Sequence, residues 1–241
     1  MALLLLGAEM VTTSIEHSVL DGSTVRIAGP DLDLSKPVSS IVTTVVGKLR
    51  VEFTVFERGF GAAVAWDVAR VRLQEKYAYR GGNLRVGSAL DDGGRVDFLI
   101  GVWEGRAWSV YAPFYGGDVA NLMGVLDLLS LEETDTGLVL VPRDDRIRYE
   151  RSPELTKTIP GIGLLVMSQL TRQVSRDLPR WSGTTVPGGE LFVDEVPGPG
   201  QRHYVLVSPT AKTTIMPSPE AAGDSVPSRL VNLNVAWRPS P

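Results

Sequence analysis

Five aromatic residues lie within one short segment, which is the clearest candidate for a ligand-binding site. They are Trp103, Trp108, Tyr111, Phe114 and Tyr115. A hairpin that turns at Glu104–Gly105 would set Trp103 and Trp108 close together across two strands. Exposed rings placed in this way can stack on a sugar ring or a base. Because aromatic residues are also common in strand cores and protein interfaces, we treat the segment as a ligand or interface hypothesis.

Carboxylates and arginines offer a second kind of chemistry. Adjacent acidic pairs occur at three predicted turns, Asp91–Asp92, Glu132–Glu133 and Asp144–Asp145. A glycosidase needs two carboxyls about 5–10 Å apart that face each other across a cleft, whereas turn carboxylates usually face water. The basic run 143–151 could hold phosphate or carboxylate, but acidic residues interrupt it, which favours an exposed strand or a salt-bridged subunit contact. A hydrolase with an unassigned carboxylate site is therefore one alternative function.

Residue types that carry metal and nucleophile chemistry are scarce in this chain. There is no cysteine, and the two histidines, His17 and His203, lie far apart in sequence. Thiolate chemistry, disulfides and cysteine zinc sites are therefore excluded, and no Gly-x-Ser-x-Gly sequence marks a serine nucleophile. The glycine-rich segments 59–64 and 161–166 each carry valine where a dinucleotide loop needs its third glycine. We predict no catalytic residue, no metal site and no cofactor.

The bulk composition argues against nucleic acid and membrane partners. The 241 residues are 43% hydrophobic and 22% charged, with a formal net charge of −4, unlike a surface built for nucleic acid. The apolar start of the chain lacks a preceding basic region and stops at Glu9, which is atypical of a secretory signal peptide. No segment approaches the roughly 20 apolar residues of a membrane span. We expect a soluble protein without a signal peptide, and nothing indicates a small-molecule ligand.

Strands are predicted to position most of these groups. Apolar and polar residues alternate most clearly at Leu49–Val55 and at Val231–Trp237, as in strands with one buried face. Shorter strands are predicted at residues 23–27, 41–46, 95–103, 106–112, 137–141, 190–196, 204–207 and 213–216. Because turn sequences separate many of them, we expect antiparallel pairing in a sandwich or barrel-like core. The predicted fold class is α+β and β-dominated.

Helical spacing of apolar residues is found in few places, so one or two helices are expected. Residues 118–129 are predicted to form a helix, since Asp118 can cap its first turn. A second helix is predicted at residues 162–176, with Pro179 ending it. The segment 62–79 fits a bulged strand or a helix, and its alternation in two opposite phases favours a strand.

Proline becomes frequent late in the chain, since ten of the 16 prolines lie at or beyond Pro179. Proline removes a backbone donor and is confined to edge strands and extended segments. We therefore divide the chain into a β-rich α+β domain, 1–178, and a Pro-rich strand and arm segment, 179–241, which can belong to the same domain. The end of this segment is predicted to be an inter-subunit arm formed by Val231, Leu233, Val235 and Trp237.

Taken together, these features favour a structural protein. Strand edges and a long arm suit assembly, and strand addition between subunits would pair otherwise free edges. We expect a homo-oligomeric assembly subunit that contacts other structural proteins of a multi-subunit particle. A bacteriophage virion component from the tail, connector or baseplate ring fits this architecture, which is an argument by analogy. The alternatives are a carbohydrate- or ligand-binding β-module that uses the aromatics of 103–115, and the hydrolase.

Overall fold

A computed structural model describes residues 12–90, 96–115, 117–195, 202–219 and 225–240. Within these residues the chain forms eighteen strands, three α-helices and a short 3-10 helix at Val174–Asp177. The helices are α1 (Phe60–Ala69), α2 (Val119–Asp127) and α3 (Ser225–Leu230). The strands are β1 (Thr12–Ser18), β2 (Thr24–Pro30), β3 (Val38–Val46), β4 (Leu49–Glu57), β5 (Glu75–Tyr79), β6 (Gly82–Leu90), β7 (Val96–Glu104), β8 (Trp108–Tyr115), β9 (Leu129–Thr134), β10 (Gly137–Pro142), β11 (Ile147–Tyr149), β12 (Glu154–Ile159), β13 (Gly163–Gln169), β14 (Thr184–Val186), β15 (Gly189–Glu195), β16 (Arg202–Val207), β17 (Ala211–Pro217) and β18 (Asn234–Arg238).

Thirteen of these strands form one antiparallel sheet. Its order is β14-β15-β16-β17-β13-β12-β3-β4-β8-β7-β6-β5, and β11 pairs with β3 beside this path. The sheet is open, with β14 and β5 at its two ends. The predicted β-dominated α+β class is therefore confirmed, and the large sheet does not close into a barrel.

One hydrophobic core joins the large sheet to the smaller elements. A three-stranded sheet, β1-β2-β18, and the β9–β10 hairpin supply the remaining strands. Ile27 of the small sheet, Phe53 and Leu165 of the large sheet and Leu122 of α2 are all fully buried in this core. Strand β13 precedes residue 178 and pairs with β17, which follows it, so both predicted segments of the chain contribute to the same sheet.

The predicted strands are confirmed within the described residues, and so is the first predicted helix. Helix α2 lies within the predicted segment 118–129, from Val119 to Asp127, and begins with a capping box. The Asp118 carboxylate accepts a hydrogen bond from the Asn121 backbone, and the Asn121 side chain accepts one from the Asp118 backbone. These reciprocal bonds satisfy donors that a helix start otherwise leaves free. The pattern at 231–237 becomes strand β18 only from Asn234 onwards, since residues 231–233 form a turn after α3.

The helix predicted at 162–176 was wrong. Residues 163–169 form strand β13, which lies between β12 and β17 in the large sheet. Leu165 and Met167 point into the core and are fully buried, while Leu164 and Val166 lie on the opposite face. Residues 164–167 are all apolar and lie alternately on the two faces of this central strand. When both faces are apolar, some apolar residues also fall three and four positions apart, which is the spacing expected of a helix.

The strand favoured across 62–79 was also wrong for most of that segment. Residues 60–69 form α1, and a strand begins only at Glu75. Arg70 ends the helix in a left-handed conformation, with φ of 56°, and its backbone N–H bonds to carbonyls of the last turn. This is a common way for a helix to stop, although glycine usually occupies the left-handed position.

Candidate functional site

The two tryptophans of the aromatic hairpin are buried in the main core. Trp103 is 3% exposed and Trp108 is 6% exposed. The Trp103 indole N–H donates to the Tyr79 carbonyl over 2.9 Å, and the Trp108 indole N–H donates to the Thr134 carbonyl over 3.0 Å. Each ring therefore ties the β7–β8 hairpin to a neighbouring pair of strands, and its polar atom is satisfied within the fold.

The other three aromatic residues of this segment separate onto different surfaces. Phe114 is buried in the main core, whereas Tyr111 belongs to a smaller core beneath α1. Tyr115 is 56% exposed and stacks obliquely on Phe98, with ring centroids 5.0 Å apart. Since successive residues of a strand point to opposite faces, the five rings form no common platform, and four of them serve packing.

The C-terminal strand packs within its own chain. Strand β18 pairs antiparallel with β2, with Val235 opposite Ile27 and Trp237 opposite Val25. Leu233, Val235 and Trp237 are at most 1% exposed, and only Val231, at 38%, is accessible. Three of the four residues expected to form an inter-subunit arm thus complete the core of the chain that carries them. The alternation of apolar and polar residues at 231–237 predicted correctly that the apolar ones are covered. It carries no information about which chain covers them.

Helix α1 lies on the outer side of the β4, β7 and β8 strands. Its inward face carries small residues one turn apart, Gly61 and Ala65, and both are buried. A methyl group added to Gly61 would come within 2.7 Å of a Val102 methyl carbon, so glycine is needed for this close approach. Together with Val71, Ile100 and Tyr111, the inward face forms the second, smaller core.

Helix α1 leaves several apolar side chains exposed. Phe60 is 45% exposed, Trp66 42% and Val68 75%, and Asp67 is the only charged residue of the helix. A helix that is apolar all round is ordinarily buried on every side. We call the exposed residues of this helix, Phe60, Ala63, Trp66, Asp67 and Val68, with the adjoining Arg70 and Arg72, the α1 surface. Phe60, Ala63 and Trp66 follow one side of the helix at intervals of three residues, whereas Val68 projects to a different side.

Two arginines flank the exposed indole of this surface. The guanidinium carbons of Arg70 and Arg72 lie 5.8 Å and 5.2 Å from the centre of the Trp66 ring. Both distances fall within the range of cation–π attraction. Each contact stabilises the exposed ring by about 0.5–1 kcal/mol.

Two hollows adjoin α1. One, of about 200 Å³, is lined by Phe56, Glu57, Phe60 and Leu164 among others. The other, of about 270 Å³, is lined by Ala62, Trp66, Val71, Arg72, Leu73 and Arg85. An exposed helix beside two hollows is suited to protein docking, because a partner can cover the helix and place side chains in the hollows.

A buried lysine and a buried histidine escaped prediction from the sequence. Lys157 of β12 is 2% exposed, and its Nζ donates to the Lys36 carbonyl over 2.5 Å. Burial lowers the pKa of Lys157, while Glu57 and Asp33 oppose that shift. The alternation of Leu155, Lys157 and Ile159 was the available signal, because it places a lysine on the apolar face of a strand.

His17 of β1 is the second buried group. Burial, together with the charge of Lys157, lowers the pKa of His17 to about 4, although a hydrogen bond with the Thr136 backbone opposes the shift. The ring is therefore neutral at physiological pH. Its Nε2 atom has no hydrogen-bond partner among the described residues. His203 lies elsewhere, with its Nε2 3.1 Å from the carboxylate of Asp194.

One member of each described acidic pair, Glu133 and Asp144, has a structural role. Glu133 accepts hydrogen bonds from the backbones of Arg106, Ala107 and Trp108 at 2.8–3.0 Å. Partial burial raises the pKa of Glu133, but these bonds outweigh it and the pKa lies below its usual value. The side-chain hydrogen bond of Arg146 lowers the pKa of Asp144 to about 2. Asp91 and Asp92 lie outside the described residues.

Searches for a metal site, a membrane-spanning helix and similar known proteins give no indication of function. Within the described ranges, no group of three or more histidine, aspartate or glutamate side chains could hold a metal ion. The helices of this part of the chain are all too short or too polar to cross a membrane. Comparison with protein-family models, curated proteins and solved structures finds no match. The α1 surface therefore stands as the candidate functional site on its own geometry.

Proposed function

We propose that this chain is a structural subunit of a multi-subunit particle and that it docks on a second copy of itself through the α1 surface. The observation that carries the proposal is an almost wholly apolar helix on the outside of the sheet. A particle such as a bacteriophage tail, connector or baseplate ring is the setting we propose, by analogy of architecture.

The composition of the α1 surface supports protein docking. Tryptophan and arginine are the residue types most enriched among interface residues that dominate binding energy. Covering the exposed parts of Phe60, Trp66 and Val68 would contribute roughly 1 kcal/mol for each side chain, since burying a whole side chain of this kind contributes about 1.5–3 kcal/mol. Contiguous exposed apolar residues on a polar surface commonly mark interaction sites.

Charge supports a second copy as the partner. Arg70 and Arg72 form no ion pair within the described residues, so the α1 surface carries two unpaired positive charges beside the single carboxylate of Asp67. The chain as a whole carries a formal net charge of −4. A head-to-tail contact, in which the α1 surface of one copy meets a different surface of the next, would let acidic residues of the second copy approach these arginines, and such complementary charge favours encounter and orientation.

Light scattering on the purified protein tests the proposal. We expect a mass that is a multiple of the 26.1 kDa chain, and we expect the double variant Trp66→Ala, Val68→Asp to shift that mass to a single chain. Trp181→Ala is the matched control, because Trp181 is also about half exposed, at 51%, and lies outside the α1 surface. Circular dichroism checks that each variant keeps its strands.

Two results would refute the proposal. One is a wild-type protein that stays a single chain up to the limit of its solubility. The other is an oligomer whose mass is unchanged in the double variant, which would move the interface away from α1.

A further inference from the structure

We infer that a groove beside α2 binds a free, single-chain amphiphile with an anionic head group. The groove has a volume of about 910 Å³ and lies between the outward side of α2, the turn that joins β3 to β4, and the loop 143–146. Small-molecule sites in proteins typically have volumes of roughly 300–1,000 Å³. The groove shares no residue with the α1 surface, so the inference does not depend on the proposed assembly role.

Apolar side chains form much of the groove lining. They are Val46, Leu49, Phe114, Val125 and Leu128. Phe114 and Val125 are buried, whereas Val46, Leu49 and Leu128 are half-buried and keep part of their apolar surface accessible. A hydrocarbon chain that lies in the groove would remove this surface from water, and the gain would grow with each methylene group.

Helix α2 carries a glycine where its own packing does not require one. A methyl group built on Gly124 would meet no atom within 4 Å. Glycine inside a helix is less favourable than alanine, so its presence lacks a structural reason within the described chain. Ala120 lies one turn earlier on the same face of the helix, and both residues line the groove. These two small residues leave room for an occupant along α2.

The charge left over at the groove is positive. Asp127 is paired with Arg80 at 3.1 Å, and Asp144 is paired with Arg146 at 2.7 Å. Arg143 also lines the groove, and its guanidinium forms no ion pair or hydrogen bond with the described residues. A guanidinium binds carboxylate or phosphate oxygens through paired hydrogen bonds. The combination of an apolar lining and one unpaired arginine therefore matches a hydrocarbon chain that ends in a carboxylate or phosphate.

Calorimetric titration with dodecanoate tests this inference, and dodecyl maltoside serves as the uncharged probe of equal chain length. We expect dodecanoate to bind one site and dodecyl maltoside to bind at least about tenfold more weakly, since a hydrogen bond to a charged group is lost. Arg143→Gln should weaken dodecanoate binding by about tenfold to a hundredfold for the same reason. Arg148→Gln is the matched control, because Arg148 is exposed on β11 outside the groove, and it should leave binding unchanged.

Gly124→Leu separates loss of the site from loss of the fold. The new side chain starts in open space and leucine favours the helix, so the melting temperature should stay level or rise while dodecanoate binding is lost. Equal binding of both probes, unchanged binding in Arg143→Gln, or unchanged binding in Gly124→Leu would overturn the inference. Binding to vesicles of anionic phospholipid without binding of free dodecanoate would also overturn it, because the head group would then belong to a membrane.

Discussion

Acid should destabilise this protein through His17, and the size of the effect follows from its burial. The pKa of His17 falls from an ordinary 6.5 to about 4 in the folded chain. The unfolded chain therefore binds the extra proton at higher pH than the folded chain does. The stabilising contribution of the neutral ring is complete above pH 6.5 and is lost progressively as the pH falls towards 4.

The expected loss is about 3 kcal/mol. A pKa difference of one unit corresponds to about 1.36 kcal/mol, and the pKa of His17 falls from 6.5 to about 4. The loss of stability at pH 4 is slightly smaller than the full difference, because the folded ring is itself half protonated at its own pKa. This is a large share of the roughly 5–15 kcal/mol by which domains are stable. Other groups also titrate in this range, so the contribution of His17 must be measured as a difference between two proteins.

The contribution of His17 can be isolated by urea unfolding of the wild type and of His17→Leu. Unfolding is followed by tryptophan fluorescence, at neutral pH and near pH 4. We expect the wild type to lose about 3 kcal/mol more than the variant over this interval, because leucine cannot be protonated and because the Nε2 atom that it removes has no partner among the described residues. Equal losses in the two proteins, with equal dependence on urea, would refute a buried neutral ring at this position.

Three further predictions concern packing and charge at Gly61, Glu133 and Lys157. Gly61→Ala should destabilise the protein by about 1–3 kcal/mol in urea unfolding, because the added methyl would lie 2.7 Å from Val102; an unchanged midpoint would contradict the close approach of α1. Glu133→Ala should cost about 2 kcal/mol at neutral pH, and the difference from wild type should shrink as acid protonates Glu133, because its stabilising charge is lost as the pH falls through its lowered pKa. Lys157→Met should raise the pKa of His17 measured by nuclear magnetic resonance, since the lysine charge helps to lower it; an unmoved pKa would show that the two side chains do not interact.

Local patterns predicted the elements whose signals are contained within a few residues. Helix α2 was predictable because Asp118 can cap its first turn and apolar residues follow at helical spacing, and strand β4 was predictable because Leu49–Val55 alternates with a period of two. Helix α1 and strand β13 were assigned wrongly. In α1, apolar residues lie on both the covered and the exposed face, and in β13 they lie on both sides of a central strand, so in neither case did periodicity mark one buried side.

The candidate sites depended far more on tertiary structure. The sequence located the aromatic residues of 103–115 but could not tell rings that stack on a ligand from rings that pack in a core. The α1 surface was missed because tryptophan and valine are typical core residues. Only the structure shows that the sheet covers one side of this helix and leaves Trp66 and Val68 exposed. The groove beside α2 combines residues from a turn, a helix and a loop, so no single stretch of sequence carries its signal.

The sequence by itself determined a strand-rich chain without cysteine chemistry, since composition and short-range alternation depend only on the residues and their nearest neighbours. Only the tertiary structure decided which apolar residues are covered and by what. Trp237 pairs with Val25, near the opposite end of the chain, and the charge of Lys157 lowers the pKa of His17 from a different sheet. Burial and electrostatic coupling are set by distances in space, and contacts between residues so far apart in sequence leave no local pattern from which those distances could be read.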